Sequence, residues 1–231
     1  IKVATGIFAD VHSRPVPEGY FSPPASDIIT QVAYLSKTVT IQGGYATTNW
    51  DTPDPDAYPT TVDAQGLGRV LFITGDISPT ISGLRVTGGD DLGLGGWDWR
   101  GVTLDAGGGV YVISATATLR DNQVFSNTAL YSSGGGLELY HSDATLSGNT
   151  IADNAANATN HGVNNVLISS WAQSIEDLGT GRRRRSTASL TSLDMVLPLL
   201  HVPGLLSLQP GIYPLTIRLQ YLTIQRIPDQ P

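Results

Sequence analysis

No cysteine occurs anywhere in the 231 residues, which excludes a disulfide scaffold and a thiolate metal site. Charge is sparse as well: charged residues make up 14% of the chain and the formal net charge is −7. A chain of that sign carries no general basic field for a phosphate backbone, so nucleic acid is not an expected partner. Also missing is any apolar run approaching the roughly 20 residues that a membrane-spanning helix needs, and no charged-then-apolar signal segment opens the chain. No transmembrane segment is therefore expected. The first residue is Ile1 rather than Met, which reads as processing or, in better keeping with the repeats below, as part of a longer chain. What is abundant is Gly (26) and Pro (14) beside 40% hydrophobic residues. That mixture supplies many turns and enough apolar side chain for a core, and it favours short strands over long helices.

An internal repeat organises the middle of the chain. Gly107 to Ala129, GGGVYVISATATLRDNQVFSNTA, aligns without gaps on Gly134 to Ala156, GGGLELYHSDATLSGNTIADNAA, 27 residues further on. The alignment places Val110 with Leu137, Val112 with Leu139, Leu119 with Leu146 and Val124 with Ile151. Apolar residues fall in short alternating runs separated by Gly or Asn, which is the period of strands. Each repeat reads as three strands and three turns. Such a unit cannot bury its inward face alone, so it is expected to stack on copies of itself with parallel pairing about 4.8 Å apart. Asn122/Asn149 and Asn127/Asn154 recur at turn positions, where an Asn amide can bond the copy above or below, so they are read as structural ladders. Looser copies precede these: VLFITGDISPTISGLRVTGG from Val70 carries Ile81 and Val86 where the last copy carries Leu146 and Ile151, and IKVATGIF reads as a first strand.

The expected fold is all-β, a right-handed parallel β-helix of roughly five to six coils over residues 1–156, clearest from about 30 to 156. Insertions at 46–59 and 88–105 should leave it as loops, where function in a solenoid commonly lies. The GGG-[VL] openings followed by VFSNTA and IADNAA resemble the repeats of polymorphic outer-membrane-protein-type and other pectin-lyase-like β-helix proteins. That resemblance implies a bacterial, extracellular or cell-surface setting, in a group that includes adhesins, autotransported passengers and polysaccharide lyases or hydrolases. Fold is carried by such motifs far better than activity.

From 157 to 231 the grammar stops, and GRRRRSTASLTSLDMVLPLLHVPGLLSLQPG shows neither strand alternation nor Asn turns. Two readings compete: a terminal cap, with Leu193 to Leu208 as its apolar part, or a displaced reading frame beyond about residue 180. Tyr213 to Pro231, back-translated with permitted codons and read one nucleotide earlier, can yield LSSNNTITVSNNTADTGPA, which is the repeat motif again. Arg182 to Arg185 fits displaced poly-Gly, by a shift of opposite sense. On neither reading is the Arg run a nucleic-acid patch.

The candidate ligand-binding residues sit in GGDDLGLGGWDWRG: Asp90, Asp91, Trp97, Asp98, Trp99 and Arg100. Loop aromatics can stack on sugar rings, carboxylates can bind hydroxyls or hold Ca²⁺, and Arg can pair with a uronate. In the competing reading, Trp97 and Trp99 fold back onto the outer wall while the acids stay solvated. Trp50 is read as anchoring its own loop, with sugar stacking as the lesser alternative. A β-helix hydrolase implies G-H-G and R-x-K elements; Asn160-His161-Gly162 lacks the first Gly, and the second element has no match. A lyase would draw on Asp76, Asp90, Asp91 and Arg100, with Ca²⁺ acidifying the proton that the base removes. His12, His141, His161 and His201 lack metal-ligand spacing. No catalytic residue and no metal ligand is assigned, and Ca²⁺ is the one cofactor raised. The expected function is a non-catalytic, structural or adhesive surface module meeting a polysaccharide or a host or cell-surface partner; the alternative is a lyase or hydrolase of acidic polysaccharide.

The source gene tests the tail directly. Codons that spell LSSNNTIT when read one nucleotide earlier are expected across Tyr213 to Gln220; an uninterrupted frame with codons incompatible with that string would exclude displacement.

Overall fold

The computed structural model describes residues 1–18, 20, 23–99, 102–130 and 134–157, together with the strand backbones Val166–Ser169, Ser174–Asp177, Arg182–Arg184 and Ile217–Gln225. Regular structure among the described residues is all β, largely parallel, and no helix there is long and apolar enough to cross a membrane.

Three series of strands account for most of it. The first runs Ile28–Leu35, Arg69–Thr74, Val110–Ile113, Leu137–Tyr140 and Val166–Ser169, each parallel to the next. Its outer edge is closed by His12–Pro15, which returns antiparallel to Ile28–Leu35. A second series runs Lys2–Ala4, Thr40–Tyr45, Thr80–Ser82, Thr116–Arg120 and the first half of Asp143–Ala152. The third runs Gly6–Phe8, Thr60–Asp63, Leu84–Thr87, Gln123–Phe125 and the second half of Asp143–Ala152. Because Asp143–Ala152 is continuous, the second and third series join into one sheet. A short pair, Thr128–Leu130 with Ala155–Asn157, follows the third series.

The four apolar pairs aligned in the sequence are all Cα partners: Val110 with Leu137, Val112 with Leu139, Leu119 with Leu146 and Val124 with Ile151. The looser copy joins the same rows, with Ile81 beside Leu119 and Val86 beside Val124. These rows form the main core, with Leu71, Val112, Leu119, Leu139, Leu146 and Ile151 among its buried members. Alternation has placed one face of each strand inward, as period-2 geometry requires.

Corners between the series repeat in conformation. Where the second series turns into the third, Gly83, Asp121 and Gly148 take φ of 67°, 55° and 63°, a left-handed setting that Gly and Asp accept more readily than most residues. Asn122 and Asn149 follow immediately and are buried. Asn122 Nδ2 donates to Ile81 O and to Asn149 Oδ1, both at 3.0 Å, while its Oδ1 accepts from Leu84 N at 3.0 Å. At the next corner Asn127 Oδ1 accepts from Gly89 N at 2.8 Å, and its Nδ2 donates to Asn154 Oδ1 at 2.9 Å and to Val86 O at 3.1 Å. Each amide thus satisfies backbone groups that the turn leaves unpaired in a dry place.

Beyond residue 157 the backbone adds further pairings. Val166–Ser169 continues the first series in register with Leu137–Tyr140. Ile217–Gln225 lies antiparallel along Asp143–Ala152, and Arg182–Arg184 pairs antiparallel with Ser174–Asp177. The Leu193–Leu208 segment lies outside the described residues.

Replacing Asn127 with Ala strands several buried polar groups at once, so a loss of about 2–4 kcal/mol is expected, read as a lowered urea midpoint. Thr116→Ala, at an exposed strand position, should stay within about 0.5 kcal/mol. Equal effects of the two would remove the structural role assigned to the ladder.

Candidate functional site

Two strands of the first series are buried on both faces: every residue of Val110–Ile113 and of Leu137–Tyr140 is enclosed. Strands covered on both sides read as continuous apolar runs, and VLFI and VYVI are such runs. Ile29, Phe72, Tyr111, Ile113 and Tyr140 of this series form a second apolar cluster together with Tyr20 and Ala106. Tyr34, Phe72 and Tyr111 occupy one outward row through their register partners. Tyr34 stacks on Phe72 at 5.4 Å, and Phe72 meets Tyr111 edge-on at 5.6 Å. Such aromatic pairs contribute beyond the area they bury.

Two segments cover this row. One is the excursion between His12–Pro15 and Ile28–Leu35, which lays the Tyr20 ring against Phe72 at 5.8 Å and Tyr111 at 6.3 Å. The other is the insertion at 88–105. Its second part is an antiparallel hairpin, Gly96–Trp99 with Val102–Asp105. Its first part is a compact turn: Asp90 Oδ1 accepts from Leu92 N at 3.0 Å, and Asp105 accepts from Gly93 N at 2.9 Å and Gly95 N at 2.7 Å through its two oxygens.

Arg69 fixes that insertion to the sheet. It is fully buried, with its guanidinium 4.9 Å from the Tyr111 ring centroid and 5.8 Å from that of Phe72. Its Nε donates to Ala106 O at 2.8 Å and its Nη2 donates to Gly95 O. Tyr111 adds a bond from its hydroxyl to Gly96 O at 2.6 Å, and Tyr20 one to Leu94 O at 3.0 Å. Gly96 is required there, because a Cβ would lie 3.1 Å from the Tyr111 ring and its φ is 123°. A buried cation is costly unless its donors are used; two carbonyls and two ring faces meet the guanidinium, while its Nη1 is buried without a hydrogen-bond partner.

The six residues singled out in the sequence separate on this scaffold. Asp90 is half-buried and caps the turn, while Asp91 is fully enclosed, so these adjacent carboxylates do not face one glycosidic bond as a pair. Trp97, Asp98 and Trp99 lie on the hairpin, opposite Leu104, Thr103 and Val102; the structure describes only their backbone. Arg100 lies outside the described residues. Asp76 sits past the far end of Arg69–Thr74 from the insertion, a strand that spans roughly 16 Å at a rise near 3.3 Å per residue, so it does not join the loop acids. Among the described residues no group of three or more His, Asp or Glu side chains is placed to hold a metal ion. His12 is exposed on its edge strand, and His141 packs its ring against Tyr140 at 4.4 Å.

Sequence reasoning missed Arg69, Tyr111, Tyr20 and Asp105 as the residues that seat the loop. The uninterrupted apolar runs signal that something must cover the outer face; no comparable signal marks Arg69.

Comparison with protein-family models, with curated proteins and with solved structures finds no match for this chain.

Burial pushes the phenol pKa of Tyr111 well above its ordinary value and raises that of Tyr20, in the latter against the lowering effect of Arg69. A raised folded value means the native state holds protons that the unfolded state releases near pH ~10. The associated stability is complete below that pH and is lost as pH rises towards the folded values. In an absorbance titration, the native chain should therefore fall short of its nine tyrosinates until it unfolds. Reversible ionisation of all nine near pH ~10 in a folded chain would refute the enclosure of these rings.

Proposed function

We propose that this chain is a right-handed parallel β-helix module of the pectin-lyase-like, polymorphic outer-membrane-protein type, and that it serves as a non-catalytic structural or adhesive part of a bacterial cell-surface or secreted protein. The module presents loops, chiefly the insertion at 88–105, to a polysaccharide or another cell-surface partner.

The observation that carries this reading is how the polar groups around the insertion are used. Asp90 and Asp105 hold backbone amides of their own turn, Asp91 is enclosed, and Arg69 is committed to two loop carbonyls. Polysaccharide cleavage needs an acid and a base within reach of the scissile bond and open to substrate. Groups that brace a loop from inside favour display over catalysis. Interior Asn ladders and in-register apolar rows support a long rigid stack, and the exposed Leu92 and Val102 lie in the insertion that such a stack would hold out to a partner.

The test is to titrate the full chain against acidic and neutral polysaccharides, with and without Ca²⁺, following retention and the appearance of new chain ends. Retention without cleavage is expected. Cleavage that disappears in Asp90→Asn or Arg100→Ala would overturn the reading in favour of a lyase or hydrolase.

A further inference from the structure

We propose a second contact point, on the other insertion: a neutral-sugar stacking site whose platform is the indole of Trp50. The inference rests on the reading of the chain as a display module and gives that module a ligand class at a loop other than 88–105.

The loop at 46–59 leaves Thr40–Tyr45 and re-enters at Thr60–Asp63. It is tied back along its length. Asp54 N donates to Gly44 O at 2.6 Å, and Tyr58 N donates to Asp54 O at 2.8 Å. Asp54 Oδ1 accepts from Ala57 N at 3.0 Å, and Asn49 Oδ1 accepts from Asp51 N at 2.9 Å. Pro55 packs so close to Gly44 that a Cβ there would meet its nitrogen at 2.7 Å.

Trp50 is fixed within this loop from behind. Its ring stacks on Tyr45, 5.9 Å between centroids and 22° between planes. Tyr45 is itself buried and donates its hydroxyl to Gln42 Oε1 at 2.9 Å. The Lys2 ammonium sits over the Tyr45 ring at 5.2 Å and donates to the Trp50 carbonyl. Yet Trp50 keeps 43% of its surface exposed. Among the described residues the exposed aromatic side chains are Phe8, Trp50 and Tyr58, and two of the three belong to this one loop. An indole stacked on a buried ring while 43% of its surface stays exposed has already lost rotamer freedom that binding would otherwise cost. Indole surface is apolar and electron-rich, matching the C–H face of a pyranose ring.

The charge of the loop selects among sugars. Asp51, Asp54 and Asp56 are all exposed, and residues 46–59 contain no Lys or Arg. The adjoining cation, Lys2, is taken up by Tyr45 and the Trp50 carbonyl. Uronates and sulfated sugars meet repulsion there, whereas a neutral sugar does not, and the exposed Asn49 and Asp51, which flank Trp50 in the chain, carry an amide donor and a carboxylate acceptor for its hydroxyls. The ligand class is therefore a neutral pyranose polysaccharide.

Affinity electrophoresis of the full chain tests this, in gels cast with a neutral β-glucan, with galactomannan or with polygalacturonate, alongside variants whose thermal melts match the parent. Retardation by a neutral glycan, weakened at least ten-fold in Trp50→Ala and less in Trp50→Phe, is expected. Because Trp50→Ala could loosen its loop, the unmodified chain is also oxidised with N-bromosuccinimide; the neutral glycan should protect the peptide containing Trp50. No retardation by either neutral glycan, retardation by polygalacturonate alone, or full retardation of Trp50→Ala without protection each overturns the site. Retardation that survives Trp50→Ala but is lost when the hairpin at 96–105 is altered leaves the display-module reading standing while this site falls.

Discussion

A strand in a parallel stack has no hydrogen-bonding partner within its own repeat. Its amides and carbonyls must be met by the copies on either side, and that holds only if corresponding residues stay level from copy to copy. In-register pairing is accordingly the constraint on which this chain depends. The first series keeps Ala33, Leu71, Val110 and Leu137 in one row, and the second keeps Ile41, Ile81, Leu119 and Leu146 in another. The Asn amides at the corners hold the same register where the strand ladder lapses. A slip of one residue would turn each inward row outward, so the apolar rows and the amide ladders enforce each other.

Much of this was legible in the sequence because register is a property of spacing. The 27-residue offset between the two best copies is the register between them, and each apolar pair it aligned is a pair of Cα partners. The recurrent Asn residues announced turns because their amides serve the local backbone whatever surrounds them. Less legible was anything fixed by two distant segments meeting. Arg69 stands alone at the head of an apolar run, and nothing near it in sequence tells that Gly95 and Ala106 will supply its acceptors. Asp90 and Asp91 look like equals on paper; the turn sends one towards solvent and encloses the other. Trp50 could be read as an anchor from its loop composition, and its stacking on Tyr45 gives that reading a partner, while how much of the ring stays exposed could come only from three dimensions.

The two insertions solve one physical problem in different ways. Closing a long loop costs entropy that grows only slowly with its length, but ordering it costs more with every residue held, so contacts must hold it. At 88–105 the holding is done from beneath, by a buried guanidinium and two phenol hydroxyls reaching loop carbonyls across an aromatic row. At 46–59 it is done by turns within the loop and by one stacked ring pair. The first arrangement buries its polar groups and the second leaves them wet.

The corner after the third series also differs in length between copies. Between Thr87 and Val110 the chain makes the whole excursion of 88–109, whereas the equivalent passage in the next copy, from Phe125 to Leu137, is only 126–136. Both passages deliver the following strand to the same row, Val110 beside Leu137. The length of that corner can thus differ without moving the strands, but its residues are not all free: Asn127 holds the ladder there, and Gly96 makes room for the Tyr111 ring. New surface can be added at the corner only around such fixed points.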